Sequence, residues 1–284
     1  MKMKKKILLA TNGCPDAWPT IEYSTWMAKT FSMSLTLLGV IEDTNDEHPV
    51  QDIFSRAVTF FGKEGIEYDL QLVDGETEDV LREMMWTNAE MLVVGPLGRS
   101  RFRHWLLGRT FRQILEDVGV PILYMQKAKL PIKKILVCLG GLGHAHLARE
   151  YAINIAAKTQ AVLTLLHVVP PVNLDYPPVK EMQNNWNHLL DTDTLPAQEL
   201  RKAQQYAQEK GVQTHVTVRH GNVVNQIIGE LEENDYDLVC MGSIFSHTGL
   251  RQLYAPNVTA EIAEAVNCPI LTARCQGDHL PSAV

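Results

Sequence analysis

Lys5-Lys6-Ile7-Leu8-Leu9-Ala10-Thr11-Asn12-Gly13-Cys14 and Lys133-Lys134-Ile135-Leu136-Val137-Cys138-Leu139-Gly140-Gly141-Leu142 are one passage written twice, 128 residues apart. The match runs on at the same offset. Glu22-Tyr23 falls on Glu150-Tyr151, and Leu35-Thr36-Leu37-Leu38-Gly39-Val40 falls on Leu163-Thr164-Leu165-Leu166-His167-Val168. The two ends match as well: Val120-Pro121-Ile122-Leu123-Tyr124 answers Cys268-Pro269-Ile270-Leu271-Thr272. A duplication of this length predicts two homologous domains, 1–128 and 129–284, and not a short-repeat solenoid. Where the copies agree, the fold is the simplest reason. Where they differ, a site can have been kept in one and lost in the other.

Each copy alternates short apolar runs with helical spacing. In the first, strands are predicted at Ile7–Thr11, Leu35–Ile41, Tyr68–Val73, Met91–Val94 and Ile122–Met125. Helices are predicted at Thr20–Phe31, Ile53–Gly62, Thr77–Trp86 and Arg109–Glu116. The second copy repeats this as Ile135–Leu139, Leu147–Lys158, Val162–Val168, Gln198–Lys210, His215–Val218, Val223–Leu231, Leu238–Met241, Val258–Ala265 and Ile270–Ala273. Near-continuous apolar strands alternating with amphipathic helices mean an α/β fold, a parallel sheet covered on both faces. After the second strand the copies fall out of step. Gly65 and Gly75 meet Gly211 and Gly221 at an offset of 146. The extra residues lie in Pro170–Leu195, a proline-bearing stretch around Trp186 that reads as a long loop. Lys127–Pro131 is the connection between halves, short enough that the halves should pack together.

Composition narrows the function. The chain has 284 residues, 45% hydrophobic and 21% charged, with a net charge of -7. Up to residue 128 there are 14 Lys+Arg against 18 Asp+Glu, which leaves 12 against 15 for the remainder, so neither half is basic. That argues against nucleic acid as a partner. Five cysteines (Cys14, Cys138, Cys240, Cys268, Cys275) form no CxxC pair and read as small hydrophobes in a reducing compartment. Cys14, beside Gly13, reads first as a passive residue, with an exposed thiol as the alternative. No apolar run approaches the roughly 20 residues of a membrane span, and the start of the chain lacks a signal-peptide core. A cytoplasmic location is expected.

The chemistry-bearing stretch follows the fourth strand. Val93-Val94-Gly95-Pro96-Leu97-Gly98 is followed, nine residues on, by Gly108-Arg109-Thr110 opening a helix. Ligands of open parallel sheets sit beyond the carboxyl ends of the strands, where strand order reverses. Glycines there admit backbone close to a ligand, and a helix amino end offers free N–H groups to phosphate. Arg99, Arg101, Arg103, Arg109 and Arg112 crowd the same stretch, and the guanidinium fork suits phosphate oxygens. Read separately, each glycine is a turn and the arginines are a solvated loop. Together they are more specific.

Gly-x2-Gly-x9-Gly after the fourth strand, with Lys-Lys-Ile-Leu opening the first, resembles the universal stress protein family. The resemblance covers nearly the whole chain as a tandem pair. It implies a five-stranded parallel sheet in the order 3-2-1-4-5 flanked by helices in each domain. It also implies pairing of strand five with strand five between the halves, an intramolecular pseudo-dimer, with a further homodimer left open. Many relatives hold ATP or AMP at this motif, and others do not. Carried over, Thr11 and Asn12 would lie by the ribose with Gly95, Val40 would offer backbone to adenine, and Gly98 and Gly108 would line the phosphates. Arg109 and Thr110 stand where the family has a small hydroxyl residue and its neighbour, so the hydroxyl is displaced by one. Asn12 replaces the usual aspartate, which removes a charge that would help hold Mg and puts Mg-ATP, more than AMP, in doubt. The expected role is an adenine-nucleotide-binding regulator of the stress response acting on an unidentified protein partner. The alternatives are a nucleotide-free scaffold or interaction module, and a slow ATP hydrolase.

The second copy departs from the pattern. Gly242-Ser243-Ile244-Phe245 puts a ring where the second glycine belongs, and Ala255-Pro256 replaces the third. Its site is expected to be degenerate. The Gly140-Gly141-Leu142-Gly143 loop is a partial phosphate-loop pattern, or simply loop geometry. His144 and His146 have no third metal ligand in view, so no metal is assigned. No GxSxG, HExxH or Walker A lysine is present, and no catalytic residue is assigned.

Overall fold

A computed structural model describes residues 5–11, 13–41, 50–75, 77–84, 89–95, 114–115, 118–140, 145–171, 186–242 and 258–273. In the first half β1 (Lys6–Thr11), α1 (Trp18–Phe31), β2 (Ser34–Ile41), α2 (Val50–Glu64), β3 (Tyr68–Asp74), α3 (Thr77–Met84), β4 (Met91–Val94) and β5 (Ile122–Tyr124) follow in order. In the second half β6 (Lys134–Cys138), α4 (His146–Thr159), β7 (Val162–Val169), α5 (Leu195–Glu209), β8 (Thr214–His220), α6 (Val223–Glu233), β9 (Leu238–Gly242), α7 (Val258–Ala265) and β10 (Ile270–Ala273) repeat the plan. Ile7–Ala10, Leu35–Leu38 and Met91–Val94 are buried on both faces, as continuous apolar runs in a parallel sheet must be.

All ten strands join one sheet in the order β3-β2-β1-β4-β5-β10-β9-β6-β7-β8. Each half therefore has the order 3-2-1-4-5. Every pairing is parallel except the seam, where β5 and β10 run antiparallel with Leu123 opposite Leu271. The two strand-five edges meet within one chain, as the resemblance implied. Apolar cores line both faces of the sheet, and both include side chains from both halves.

The offsets read from the sequence hold in the backbone. Gly65 and Gly211 have φ of 67° and 71°, and Gly75 and Gly221 have 142° and 139°. Ser32 and Gln160, 128 apart, both end their helices in the left-handed region, at φ of 54° and 58°. A side chain costs about 1 kcal/mol there, partly offset in glycine by its looser unfolded state. Ser32→Gly and Gln160→Gly should each stabilise by roughly 0.5 kcal/mol, read as a rise in the urea midpoint.

The Pro170–Leu195 stretch is not all loop. Trp186–Asp191 forms a 3-10 turn that buries Leu189, and Arg201 on α5 donates Nη1 to the carbonyls of Leu190 and Thr192 at 2.7 and 2.8 Å. The connection between halves is also anchored. Lys129 Nζ donates to Asp235 at 2.6 Å and to the Tyr236 carbonyl at 2.8 Å, while the Lys133 and Lys134 amides donate to Asp237 at 2.7 and 2.9 Å.

Candidate functional site

The strand order of the first half reverses between β1 and β4. β1 runs to β2 on one side, and β4 runs to β5 on the other. Their carboxyl ends lie side by side, with Ala10 opposite Val94, so Thr11 and Gly95 follow at the ends of adjacent strands. β2 extends past β1, whose last pairing is Thr11 with Gly39. Backbone groups of alternate β2 residues face β1, starting with the Ser34 amide on the Lys5 carbonyl at 2.9 Å. Val40 belongs to that set, and its carbonyl projects beyond the end of β1. Three predicted residues, Thr11, Val40 and Gly95, are thus brought together at a topological switch point. Asn12, Gly98, Gly108, Arg109 and Thr110 lie outside the described residues, as do the other arginines of that stretch.

Two of the three have structural occupations. The Thr11 hydroxyl is buried and accepts the Gly13 amide at 3.3 Å, closing the turn that leaves β1. Gly95 packs under α1: a Cβ there would stand 2.3 Å from Thr20 Oγ1 and 2.9 Å from Thr20 Cβ. Thr20 is itself buried, so a side chain at position 95 meets a wall. No motif pointed to Thr20. Val40 has its side chain in the core, and only its backbone is available to a ligand.

Cys14 is passive, as the sequence favoured, and not an exposed thiol. It is 4% exposed, and burial pushes its pKa up. Burial also pushes Cys138 and Cys268 up to about 12 and holds Cys240 well above the ordinary thiol value. All four are held protonated, and Cys14 and Cys240 are also buried, while Cys138 and Cys268 are partly exposed. With Cys138, Cys268 and Cys275 replaced by Ser, labelling of the native protein by a thiol reagent should proceed only at the rate of unfolding.

In the second half the strand ends are furnished differently. Where β2 has Gly39, β7 has His167, 6% exposed, whose Nδ1–H donates to the Leu139 carbonyl at 2.7 Å. Gly39 has no room for a side chain, since a Cβ would lie 2.5 Å from Val50 and 2.7 Å from Phe54 of α2. The imidazole thus ties the end of β7 to the end of β6. The mismatch was visible in the aligned stretch, but its bond was not. Burial lowers the His167 pKa, against smaller raising effects of the Leu139 hydrogen bond and Glu199. A lowered folded pKa means that the unfolded chain takes the proton first. Stability should therefore be full above about pH 6.5 and fall below it by up to about 1.4 kcal/mol per unit. The fall should level off once the folded imidazole titrates. Denaturant titrations of wild type and His167→Gln between pH 7.5 and 5 should show the shallower acid slope in the variant. Phe245 and Gly141–Gly143 lie outside the described residues, as does His144. His146 sits exposed on α4, 3.3 Å from Glu150. Among the described residues no three His, Cys, Asp or Glu are grouped to hold a metal ion, and no helix is long and apolar enough to cross a membrane.

Comparison with known proteins agrees with this architecture. The universal stress protein family model matches residues 3–125 and, a second time, residues 131–274. Universal stress protein MJ0531 of Methanocaldococcus jannaschii is 28% identical over 146 residues, which are 50% of this chain and 82% of that protein. Universal stress protein YxiE of Bacillus subtilis is 25% identical over 146 residues, 50% of this chain and 98% of its own. Among solved structures, a universal stress protein of Archaeoglobus fulgidus superposes with a TM-score of 0.67 at 18% identity, covering 96% of this chain and 97% of its own. A putative universal stress protein of Pseudomonas aeruginosa gives 0.69 at 14% identity, covering 95% and 93%. At these identities the structural likeness speaks to the fold.

Proposed function

We propose that this chain, which belongs to the universal stress protein family as a tandem-domain member, holds an adenine nucleotide in the crevice of its first half and reports its occupancy to a protein partner. The observation that carries the reading is the meeting of Thr11, the free-ending Val40 carbonyl and Gly95 at the β1/β4 switch point, directly before the Gly95-x2-Gly98-x9-Gly108 pattern. In this reading adenine is read by the Val40 backbone, the ribose lies over the β1 and β4 ends near Asn12, and phosphates lie against Gly98, Gly108, Arg109 and Thr110. AMP or ATP fits, with Mg a weaker expectation because Asn12 is neutral. The second half serves as the paired partner domain, its strand ends bridged by His167. Occupancy changes a partner-facing surface only in proportion to the nucleotide's preference for one loop arrangement over another.

Millimolar ATP or AMP should raise the melting temperature, and Gly98→Asp should remove the rise. No rise for the wild type in either nucleotide, with and without Mg, overturns the reading. Phosphate release above a protein-free blank would instead mark a slow hydrolase. A nucleotide-free scaffold is favoured by one observation: the Thr11 hydroxyl and the bareness of Gly95 are both accounted for by packing within the chain. An unchanged melting temperature together with retained partner binding would select that reading.

A further inference from the structure

The opposite end of the sheet holds a cavity that the nucleotide reading does not use. It has a volume of about 560 Å³ and lies between the halves, at the amino ends of β1 and β4. Its first-half wall is Met27, Phe31, Met33 and Met91, and its second-half wall is the α4 face carrying Tyr151, Asn154 and Ile155. Ala157 and four charged side chains, Lys5, Glu90, Lys158 and Lys210, complete the lining. Lys5 and Glu90 pair at 3.1 Å. Among the described residues no carboxylate lies within ion-pair distance of Lys158 or Lys210, whose ammonium lies 5.6 Å from the Tyr206 ring, so the lining carries two more positive than negative charges beside an apolar, methionine-rich wall.

The duplication explains why the cavity exists. Tyr23 and Tyr151 occupy related positions, but Tyr23 lies in the core shared by both halves while Tyr151 is only partly buried and lines the cavity. Beside Tyr23, Trp26 packs edge-on with ring centroids 5.5 Å apart, and Tyr23 is fully buried. The residue related to Trp26 by the 128-residue offset is Asn154. Asparagine lacks the bulk to close the space, and Tyr151 faces the cavity instead. The apolar volume thus stays open on the Tyr151 side, in the second copy. It is the copy where Lys158 and Lys210 stand at the positions of Thr30 and Glu64.

We infer that this cavity binds an aliphatic carboxylate, its chain against Met27, Phe31, Met33 and Met91 and its headgroup between Lys158 and Lys210. The volume is in the range of small-molecule pockets, apolar walls with few polar groups are their usual lining, and methionine adapts to a flexible chain. The lysines give the headgroup an anionic preference. The six residues of β1 separate this cavity from the nucleotide crevice by about 20 Å, so the two sites should fill independently.

Titration of the full chain with decanoate, followed by calorimetry, should give saturable 1:1 binding that ATP does not compete away. Asn154→Trp restores the residue that the other copy carries and should weaken binding at least about tenfold, with folding checked by the melting curve. Lys158→Gln with Lys210→Gln tests the headgroup without touching the apolar wall. It should weaken decanoate about tenfold and leave 1-decanol unchanged. Absence of saturable decanoate binding overturns the inference. So does binding that survives both variants, or decanoate displaced by ATP.

Discussion

Glu230→Leu should lower stability by about 3 kcal/mol, read as a fall in the urea midpoint, although the substitution places an apolar side chain in a buried position. Glu230 is 3% exposed and its carboxylate accepts from Arg219 Nε at 2.7 Å, Tyr236 Oη at 2.7 Å and Asn234 Nδ2 at 3.0 Å. Removing it leaves Tyr236, itself buried, with only Thr164 beside its hydroxyl, and leaves Arg219 with only the more exposed Glu233. Each buried polar group so orphaned costs about 1–3 kcal/mol, which decides the sign against the gain from leucine. The related positions of the first half are Val73 for Arg219 and Met84 for Glu230, at the offset of 146, and Ala89 for Tyr236, at the offset of 147 by which β4 matches β9. One copy therefore has an ionic cluster where the other has apolar residues. Replacing the cluster as a set, Arg219→Val with Glu230→Met and Tyr236→Phe, should recover at least half of the loss, because the groups that then lose a charged partner, Glu233 and Asn234, are exposed to water. A triple variant no better than Glu230→Leu would mean that the cluster's contribution is favourable in its own right.

Much of this architecture could be read before any coordinates. Ile7–Ala10 and Met91–Val94 are too uniformly apolar to be surface strands, and the repeat of Lys5-Lys6-Ile7-Leu8 at Lys133 implied two copies of one sheet. Element starts were read less well, and prolines are the reason. Pro19 and Pro196 sit in the first turn of α1 and α5, where a missing N–H costs nothing, so both helices begin before the predicted Thr20 and Gln198. The site was legible only as glycine spacing and a run of arginines. What packs against Gly95 is Thr20, 75 positions earlier on a different element, and no local pattern carries a contact of that separation. His167 shows the intermediate case. The copy comparison marked the position, while the hydrogen bond that gives it a role depends on where β6 happens to end. The anchoring of the Trp186–Asp191 turn was likewise hidden, since the prolines before it read as a loop and the carbonyls that Arg201 holds leave no mark in sequence.

The contact between Gly95 and Thr20 bears most directly on function, because a glycine can be bare for a ligand or for a neighbour. Gly95→Ala should cost about 2–3 kcal/mol even with no nucleotide present. The new Cβ would stand 2.3 Å from Thr20 Oγ1, and Thr20 is buried against the sheet with little freedom to withdraw. The helix itself resists a shift, since α1 also seats Ile21, Tyr23 and Ser24 in fully buried positions. Thr20→Ala removes the Oγ1 and the methyl and leaves only Thr20 Cβ, at 2.9 Å, for the backbone to accommodate. In that background Gly95→Ala should cost less than about 1 kcal/mol, so the cycle should show a coupling of at least about 1 kcal/mol between the two sites. The second half already carries the small residue, Ala148, at the position related to Thr20. Nucleotide titrations of the same four proteins separate the two roles. If Gly95 serves only packing, the double variant regains both stability and nucleotide binding. If the ribose needs the bare backbone, the double variant regains stability and still binds weakly. A Gly95→Ala protein as stable as the wild type would remove the packing account and leave the ligand as the reason for the glycine.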